Sequence, residues 1–454
     1  MLYQHVLGIL LFCFSVTATM AGEVSEFKLS NGLKLLIKED HRAPVVVSQV
    51  WYKVGGSYEV EGKTGLSHML EHMMFKGTEK YGSGEFSQIM AANGASENAF
   101  TGADYTAFFQ TIANDRLALS FELEADRMQG LKLSNDEFVK ERQVILEERR
   151  MRTEDDPNSL LYEYFMATAF QTSSYHNPII GWKNDIEEYT LADIQDWYHQ
   201  WYVPNNAVLV VVGDVEPQAV LNLAQKYFEP IPVVKISPAK SRIEVPQLGS
   251  KRIVVKRPAK LSYLVMGYKV PSLKTIAPEQ QWEVYALDLL SVLLSGGDSS
   301  RFTKHLVRGQ QVATTAYASY SLNERLETLF ELSGIPTEQH SVAELEASLL
   351  KQINQLKTEL VPIEELNRVK VQLRASKVYE QDSMFYQGMK IGMMETVGLD
   401  WRLVDGYLTQ IEAITPEQIQ AVANKYLIDD RLTVGILEPQ PIQEQLVHNT
   451  GEIH

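Results

Sequence analysis

The stretch that most constrains this chain runs from Gly65 to Gly77 and reads GLSHMLEHMMFKG. Its apolar residues recur at i, i+3, i+4 and i+7, which is the spacing of one buried face of an α-helix, and Gly77 is placed to end that helix. His68 and His72 are four residues apart, so both imidazoles project from one side, with Glu71 between them. The stretch therefore predicts a helix that packs through one face and carries polar chemistry on the other.

Two neutral imidazoles at this spacing can hold one zinc ion, and a nearby carboxylate that is not a ligand can act as a general base. Such a site needs a third protein ligand. A second predicted helix, which begins after Ser134, offers Glu141 and Glu148 two turns apart on one stripe, with Glu147 beside them. Periodicity alone does not choose among these three carboxylates.

The N-terminal segment is predicted to be a targeting sequence. Residues 6–16 (VLGILLFCFSV) form an apolar run of signal-peptide length, and small residues precede a plausible cut before Gly22. The run is shorter than the ~20 residues that a membrane span needs. We therefore expect a signal peptide over residues 1–21, secretion across the inner membrane to a bacterial periplasm, and no stable membrane insertion after cleavage. An uncleaved anchor is the alternative. The only cysteine, Cys13, would leave with this segment.

Composition excludes one class of partner. The 454 residues carry a net charge of -16, and no basic stripe is present, so nucleic-acid binding is not expected. A hydrophobic content of 45% is ordinary for a globular protein, and the length suggests two to four domains.

The order of predicted elements favours an α+β fold, because strands and helices alternate without strict βαβ units. Asn31-Gly32 marks a hairpin turn, and Ser134 with Glu137 has the spacing of a capping box for a helix that runs to about residue 152. The other predicted strands cover residues 45–54, 96–112 (two strands), 207–212, 252–255, 261–268 and 432–437.

The chain has the pattern of an internal duplication. Thr190 begins a helix that leads into the strand 207–212, and Thr415 begins a helix that leads into the strand 432–437. A proline-rich stretch separates the two halves. We expect an N-terminal domain with the metal site at 22–230, a linker at 231–250, a homologous C-terminal domain at 251–441 and a tail at 442–454.

The motif His68-x-x-Glu71-His72, followed by Glu148 in the second helix, resembles the pitrilysin/insulinase family of inverted-motif zinc peptidases, which includes processing peptidases. The resemblance covers nearly the whole mature chain and extends to residues 52–59, 98–106, 178–181, 202–214 and 294–301. It implies two homologous α/β-sandwich-type domains in tandem, forming half of a clamshell.

Carried over to this chain, the resemblance implies one zinc ion bound by His68, His72 and Glu148. Glu71 takes the place of the general base, and Glu141 that of a carboxylate that supports the site. The expected activity is zinc-dependent endopeptidase cleavage of peptides or unfolded protein segments in an enclosed chamber.

The resemblance also implies a substrate-binding edge, where an extended peptide adds as a further strand. The residues at these positions are Asn98, Ala99, Phe100 and Thr101. An ordinary buried strand is the alternative for these side chains.

One departure from the family concerns the second half, where active members carry an arginine and a tyrosine that meet the substrate carbonyl. Val307 and Thr314 occupy those positions here, and neither can replace that electrostatic contribution. We therefore expect a catalytic subunit of a heterodimer whose homologous partner supplies the Arg/Tyr pair. The alternatives are a self-sufficient homodimer that uses Arg308 or Tyr317, and a non-catalytic structural or chaperone-like subunit.

Overall fold

The computed structural model describes residues 23–237 and 242–442. The expected signal peptide with its cut before Gly22, four residues of the expected linker and nearly all of the expected tail lie outside the described residues. None of the helices in the two described ranges is both long enough and apolar enough to span a bilayer.

In residues 23–237, the described part of the first half, there are a six-stranded sheet and eight α-helices. Its strands are β1 (Val24–Lys28), β2 (Lys34–Glu39), β3 (Val45–Tyr52), β4 (Ser96–Thr101), β5 (Thr106–Ala113) and β6 (Ala207–Gly213). Its helices are α1 (Leu66–Met73), α2 (Glu85–Ala92), α3 (Leu117–Gly130), α4 (Asn135–Arg149), α5 (Pro157–Ala169), α6 (Lys183–Glu188), α7 (Leu191–Trp201) and α8 (Pro217–Tyr227).

In residues 242–442, the described part of the second half, there are a five-stranded sheet and six α-helices. Its strands are β7 (Lys251–Pro258), β8 (Tyr263–Val270), β9 (Ala313–Tyr320), β10 (Thr328–Pro336) and β11 (Leu432–Gln440). Its helices are α9 (Gln281–Ser295), α10 (Val342–Thr358), α11 (Ile363–Glu380), α12 (Met384–Thr396), α13 (Leu403–Ala413) and α14 (Pro416–Tyr426).

The two sheets share one topology over five strands, and the first sheet has β1 as an additional edge strand. The first has the order β1-β2-β6-β3-β5-β4, and the second has the order β7-β11-β8-β10-β9. β2 is parallel to β6 and β7 is parallel to β11, whereas the remaining neighbours are antiparallel. From β2 to β4, the first sheet therefore repeats strand by strand in the second. The α+β class with two like domains in tandem, consistent with half of a clamshell, is confirmed.

Helices α7 and α14, whose sequences indicate the duplication, begin with the same type of N-cap. The side chains of Thr190 and Thr415 each accept a hydrogen bond from the backbone N–H three residues on. The side chain of that third residue, Asp193 or Gln418, accepts one from the N–H of the cap residue, so both capping boxes are complete. The expected box at Ser134 is only half formed. Ser134 accepts from the Glu137 N–H, but the Glu137 carboxylate pairs with Lys140 at 3.0 Å instead of reaching back.

The helix after Ser134 also ends earlier than expected. α4 stops at Arg149, and the wider π-helical turn Arg150–Glu154 follows it. The turn is tied by Arg150, which contacts both Glu147 and Asp155. A wider turn changes the direction of the chain without breaking its hydrogen bonds, so the helical periodicity of the sequence does not reveal it.

Each half also covers the sheet of the other with one helix, an exchange that the sequence did not indicate. α5 packs on the second sheet, where Phe165 lies over Gly267 and Gly435. α12 packs on the first sheet, where Gly392 lies directly over Trp51. A Cβ atom at Gly392 would stand 2.2 Å from the indole, so a glycine is what allows this close approach.

Candidate metal centre

Helix α1 has the predicted periodicity, but it ends at Met73, before Gly77. The four apolar residues of the predicted face are buried: Leu66, Met69, Leu70 and Met73. The start of the helix is held by Glu59, which accepts hydrogen bonds from the N–H groups of Gly65 (2.6 Å) and Ser67 (2.7 Å). Sequence reasoning missed Glu59, because it lies outside the usual capping spacing and reaches the helix through a loop.

The polar side of α1 meets one carboxylate of α4. Nε2 of His72 is 3.4 Å from Oε2 of Glu148, and Nε2 of His68 is 3.9 Å from Oε1 of the same residue. One ligand atom from each of the three residues lies within 4.8 Å of the others. The two imidazole rings are 4.7 Å apart. The structure thus brings together the three residues that the resemblance indicated as ligands.

This arrangement fits a zinc ion. Two imidazoles and a carboxylate form a donor set typical of catalytic zinc sites, and tetrahedral coordination at the usual bond lengths separates ligand atoms by about 3.3–3.6 Å. The observed separations between Glu148 and the two imidazoles, 3.4 and 3.9 Å, are close to that spacing.

The other two candidate carboxylates have different surroundings. Oε1 of Glu141 accepts a hydrogen bond from Nδ1 of His72 at 2.8 Å, and Oε2 lies 2.5 Å from the ammonium of Lys76. Glu147 is exposed and pairs with Arg150 at 2.5 Å. Glu141 therefore holds the ring of His72 with Nε2 directed at the site, while Glu147 takes no part in it.

Burial and neighbouring charges shift the pKa values of His68 and Glu141. Burial, with smaller contributions from His72 and Arg152, lowers the pKa of His68 to about 3, so its imidazole is neutral and able to bind a cation. Burial acts to raise the pKa of Glu141, but the bonds from His72 and Lys76 outweigh it and leave that pKa below its usual value.

Glu71 lies beside the three ligand residues and is held by the edge strand. Its Oε2 accepts a hydrogen bond from the hydroxyl of Thr101 at 2.5 Å. Burial raises the pKa of Glu71, and the bond from Thr101 partly opposes this effect. A carboxylate with a raised pKa next to a metal site suits a group that takes up and releases a proton.

Strand β4 has one free edge. It pairs with β5 alone, and no other strand of the described ranges adjoins it. Asn98 is exposed, Ala99 packs partly on the core, and Phe100 packs edge-on against Trp51 with the ring centroids 5.4 Å apart. The main chain of β4 is therefore available to a further strand, whereas two of its four candidate side chains serve packing. Their role in substrate binding stays a prediction.

The candidate residues of the second half lie apart from the cluster, by which we mean His68, His72 and Glu148. Arg308 is exposed and pairs with Asp298 at 3.3 Å. Tyr317 projects from β9 with 59% of its surface exposed. No hydrogen bond or ion pair joins either residue, or Val307 or Thr314, to the cluster within the part of the chain that the structure describes.

A cavity of about 850 Å³ opens next to the cluster, between the two halves. Arg152, which lies on its wall, pairs with Glu148 at 2.6 Å, so the cavity adjoins the candidate metal site. Residues of the second half, among them Tyr320 and Glu331, line its other side. Both halves therefore line this cavity, and Arg152 connects its wall to Glu148.

Comparison with known proteins gives consistent matches. Residues 34–183 match the family model described as Insulinase (Peptidase family M16), and residues 188–373 match that described as Peptidase M16 inactive domain. A zinc protease of Helicobacter pylori, PqqE, is 34% identical over 417 residues, which cover 90% of this chain and 92% of that protein.

Solved structures show the same similarity. A protease from Helicobacter pylori superposes with a TM-score of 0.86 and 32% identity, covering 92% of this chain and 100% of that one. The periplasmic protease PqqL from Escherichia coli shares the fold, with a TM-score of 0.74 and 15% identity, over 92% of this chain and 48% of that one.

Proposed function

Because the chain belongs to the M16 (insulinase) peptidase family, whose named relatives are zinc proteases, we propose that it is a zinc-dependent endopeptidase that binds one zinc ion per chain. The observation that carries this proposal is the convergence of His68, His72 and Glu148, with Glu71 adjacent to them. The expected substrates are peptides or unfolded protein segments, because a free strand edge recognises an extended main chain.

A zinc ion held by these residues would act as a Lewis acid on the scissile carbonyl and lower the pKa of the attacking water. Glu71 would take a proton from the attacking water and return it to the leaving amine. Thr101 orients the Glu71 carboxylate by its hydrogen bond, and Glu141 orients the ring of His72. The peptide lies along β4, paired through main-chain hydrogen bonds.

The proposed assembly is a heterodimer in which this chain is the catalytic subunit. Val307 and Thr314 stand where the arginine and tyrosine of active relatives would be, and the partner would supply that pair into a shared chamber. The proposal includes secretion to the periplasm after removal of residues 1–21. It also includes a boundary between the two domains within residues 231–250.

Substitution of Glu71 tests the chemistry. Glu71→Gln removes the base but no ligand, so the variant should bind one zinc ion and lose about 10²–10⁴-fold in kcat. Glu79→Gln, which changes an exposed glutamate after the same helix, is the matched control and should behave as the parent. A Glu71→Gln variant with the parent's kcat would refute the assignment.

Purification tests the assembly. The chain purified alone should bind zinc but turn peptides over slowly, and co-purification from the native host should recover a homologous partner together with full activity. Full activity from a proven monomer or homodimer would refute the heterodimer. In that case Arg308→Ala and Tyr317→Phe would test the self-sufficient enzyme. A zinc-loaded complex without any chelator-sensitive cleavage would instead indicate a structural subunit.

A further inference from the structure

Arg325 lies between β9 and β10 of the second half and reaches across to the first half. Its backbone N–H donates to Oδ2 of Asp104 at 2.9 Å, and its Nε donates to Oδ1 at 3.2 Å. Its Nη2 donates to both the hydroxyl (2.7 Å) and the carbonyl oxygen (3.0 Å) of Ser57. The guanidinium also lies over the ring of Tyr58, 4.1 Å from its centroid. One side chain therefore holds two separate segments of the other half.

The two segments are joined to each other at the same point. The hydroxyl of Ser57 donates to Oδ1 of Asp104 at 2.6 Å, and its N–H donates to the carbonyl oxygen of Ala103 at 2.7 Å. Asp104 is 1% exposed, and Arg325 makes the only ion pair found for it among the described residues. A carboxylate buried to this extent depends on its ion pair and hydrogen bonds to stay in place.

Both segments lead directly to the candidate metal centre. Asp104 follows Thr101 by three residues, and Thr101 holds the Glu71 carboxylate. Ser57 precedes Glu59 by two residues, and Glu59 caps the helix that carries the two histidines. The contacts of Arg325 thus hold the segment that carries Thr101, which bonds to Glu71, and the segment that carries Glu59, which caps α1.

We propose that Arg325 is a positioning residue through which the second half keeps the first half's site in its working geometry. The inference deepens the proposed peptidase function and rests on it. Arg325 acts through Asp104 on Thr101 and through Ser57 on the loop before Glu59, without touching substrate or metal. A planar guanidinium suits this task, because its donors diverge in fixed directions and can serve two acceptors at once.

The test uses Arg325→Ala, Arg325→Lys and a control, Arg374→Ala, which breaks an exposed ion pair with Glu412 in the same half. The proteins are studied in the active complex and loaded with zinc. Arg325→Ala should lower kcat about 10–100-fold, as the loss of an indirect support does, while each chain still binds one zinc ion. Arg374→Ala should match the parent.

Arg325→Lys is the control for the case in which Arg325→Ala does not fold. The lysine keeps a cation beside the buried Asp104, so the variant should remain folded. It loses the hydrogen bonds that Nη2 of Arg325 donates to Ser57, so its kcat should lie between those of the parent and Arg325→Ala. Guanidinium ion added to Arg325→Ala should restore part of the lost kcat. Parent kcat in both Arg325 variants would overturn the proposal.

Hydrogen exchange gives a readout that is independent of activity. In Arg325→Ala, exchange should become faster in residues 55–59 and 96–106 and stay unchanged elsewhere. Unchanged exchange in those segments, or faster exchange over the whole second half, would overturn the proposal. If the parent complex cleaves no peptide although the exchange pattern is as expected, the proposed function fails and the positioning contact stands.

Discussion

The two halves of this protein share a topology, and they differ at one equivalent position. α1 follows β3 in the first half, and α9 follows β8, the equivalent strand, in the second. α1 buries one face and turns two imidazoles and a carboxylate to the other. α9 is buried nearly all round, with leucines and other apolar residues on every side: Val284, Tyr285, Ala286, Leu287, Leu289, Leu290, Leu293 and Leu294.

The partner helices differ in the same way. α4 presents Glu141 and Glu148 to the histidines, whereas the equivalent helix α11 packs Leu366, Val369 and Leu373 into the core. The only cluster of potential metal ligands in the described residues is that of the first half. The same fold therefore accommodates a polar site in the first half and additional apolar packing in the second. Its stability requires only one apolar face on this helix, so the other face is free for either use.

The strongest contrast between the halves should appear in zinc binding. Glu148→Gln removes a charged ligand, so zinc affinity should fall at least about 100-fold. The matched change on the equivalent helix, Glu364→Gln, alters an exposed side chain and should leave the affinity as it is. A competition titration against a chromophoric chelator measures both. Equal affinities in the two variants would show that the site does not lie in the first half.

Helix α12, which packs on the sheet of the other half, should lose stability when an atom is added at its contact with that sheet. Gly392→Ala places a methyl group against Trp51, which must move, and the expected cost is about 1–3 kcal/mol of unfolding free energy. Gly406→Ala on the neighbouring helix meets no atom within 4 Å and should stabilise by about 0.5–1 kcal/mol. Urea denaturation measures both. A stabilised Gly392→Ala would mean that α12 does not lie on the first sheet.

Loss of the support that Glu141 gives to His72 should weaken zinc binding less than loss of a ligand does. Glu141→Gln keeps an acceptor for Nδ1 of His72 but removes the negative charge, so zinc should bind about 10-fold more weakly. The same chelator titration measures it, with the parent and Glu148→Gln as the two limits. Affinity as low as that of Glu148→Gln would make Glu141 a ligand rather than a support.

The second half carries a half-buried carboxylate of its own, Glu331 on the wall of the cavity, and its effect should be the smallest. Burial raises the pKa of Glu331 to about 7, against an opposing hydrogen bond from Tyr162. Because the folded chain holds this proton more tightly than the unfolded chain, the contribution of Glu331 to stability is full below about pH 4.5 and is lost as the pH rises to about 7.

Glu331→Gln should therefore be more stable than the parent at pH 8, by on the order of 1 kcal/mol, and close to it at pH 5. Glu338→Gln, an exposed neighbour, should show no such difference. Urea unfolding at the two pH values measures the difference in unfolding free energy between each variant and the parent. A Glu331→Gln variant whose stability relative to the parent does not change with pH would contradict the assignment.

Local features of the chain were predictable from the sequence because their causes are local. The apolar face of α1 follows from residues one turn apart, and the starts of the helices after Thr190 and Thr415 follow from cap residues and their near neighbours. The pair His68 and His72, the candidate zinc ligands, belongs to this class, since a single helix places both. The half-formed cap at Ser134 shows the limit, because Lys140 competes for the same carboxylate.

The sequence by itself determined which residues lie on which face of each element, since helical and strand periodicities depend on the chain alone. Tertiary structure decided which faces meet. Glu141 and Glu148 share a stripe of α4, and only the way α4 lies against α1 directs Glu148 to Nε2 of His72 and Glu141 to Nδ1 of the same ring. The same holds for Arg325, whose partners lie more than 200 residues away in the chain. Contacts over such distances depend on how whole elements pack, and no local pattern records that.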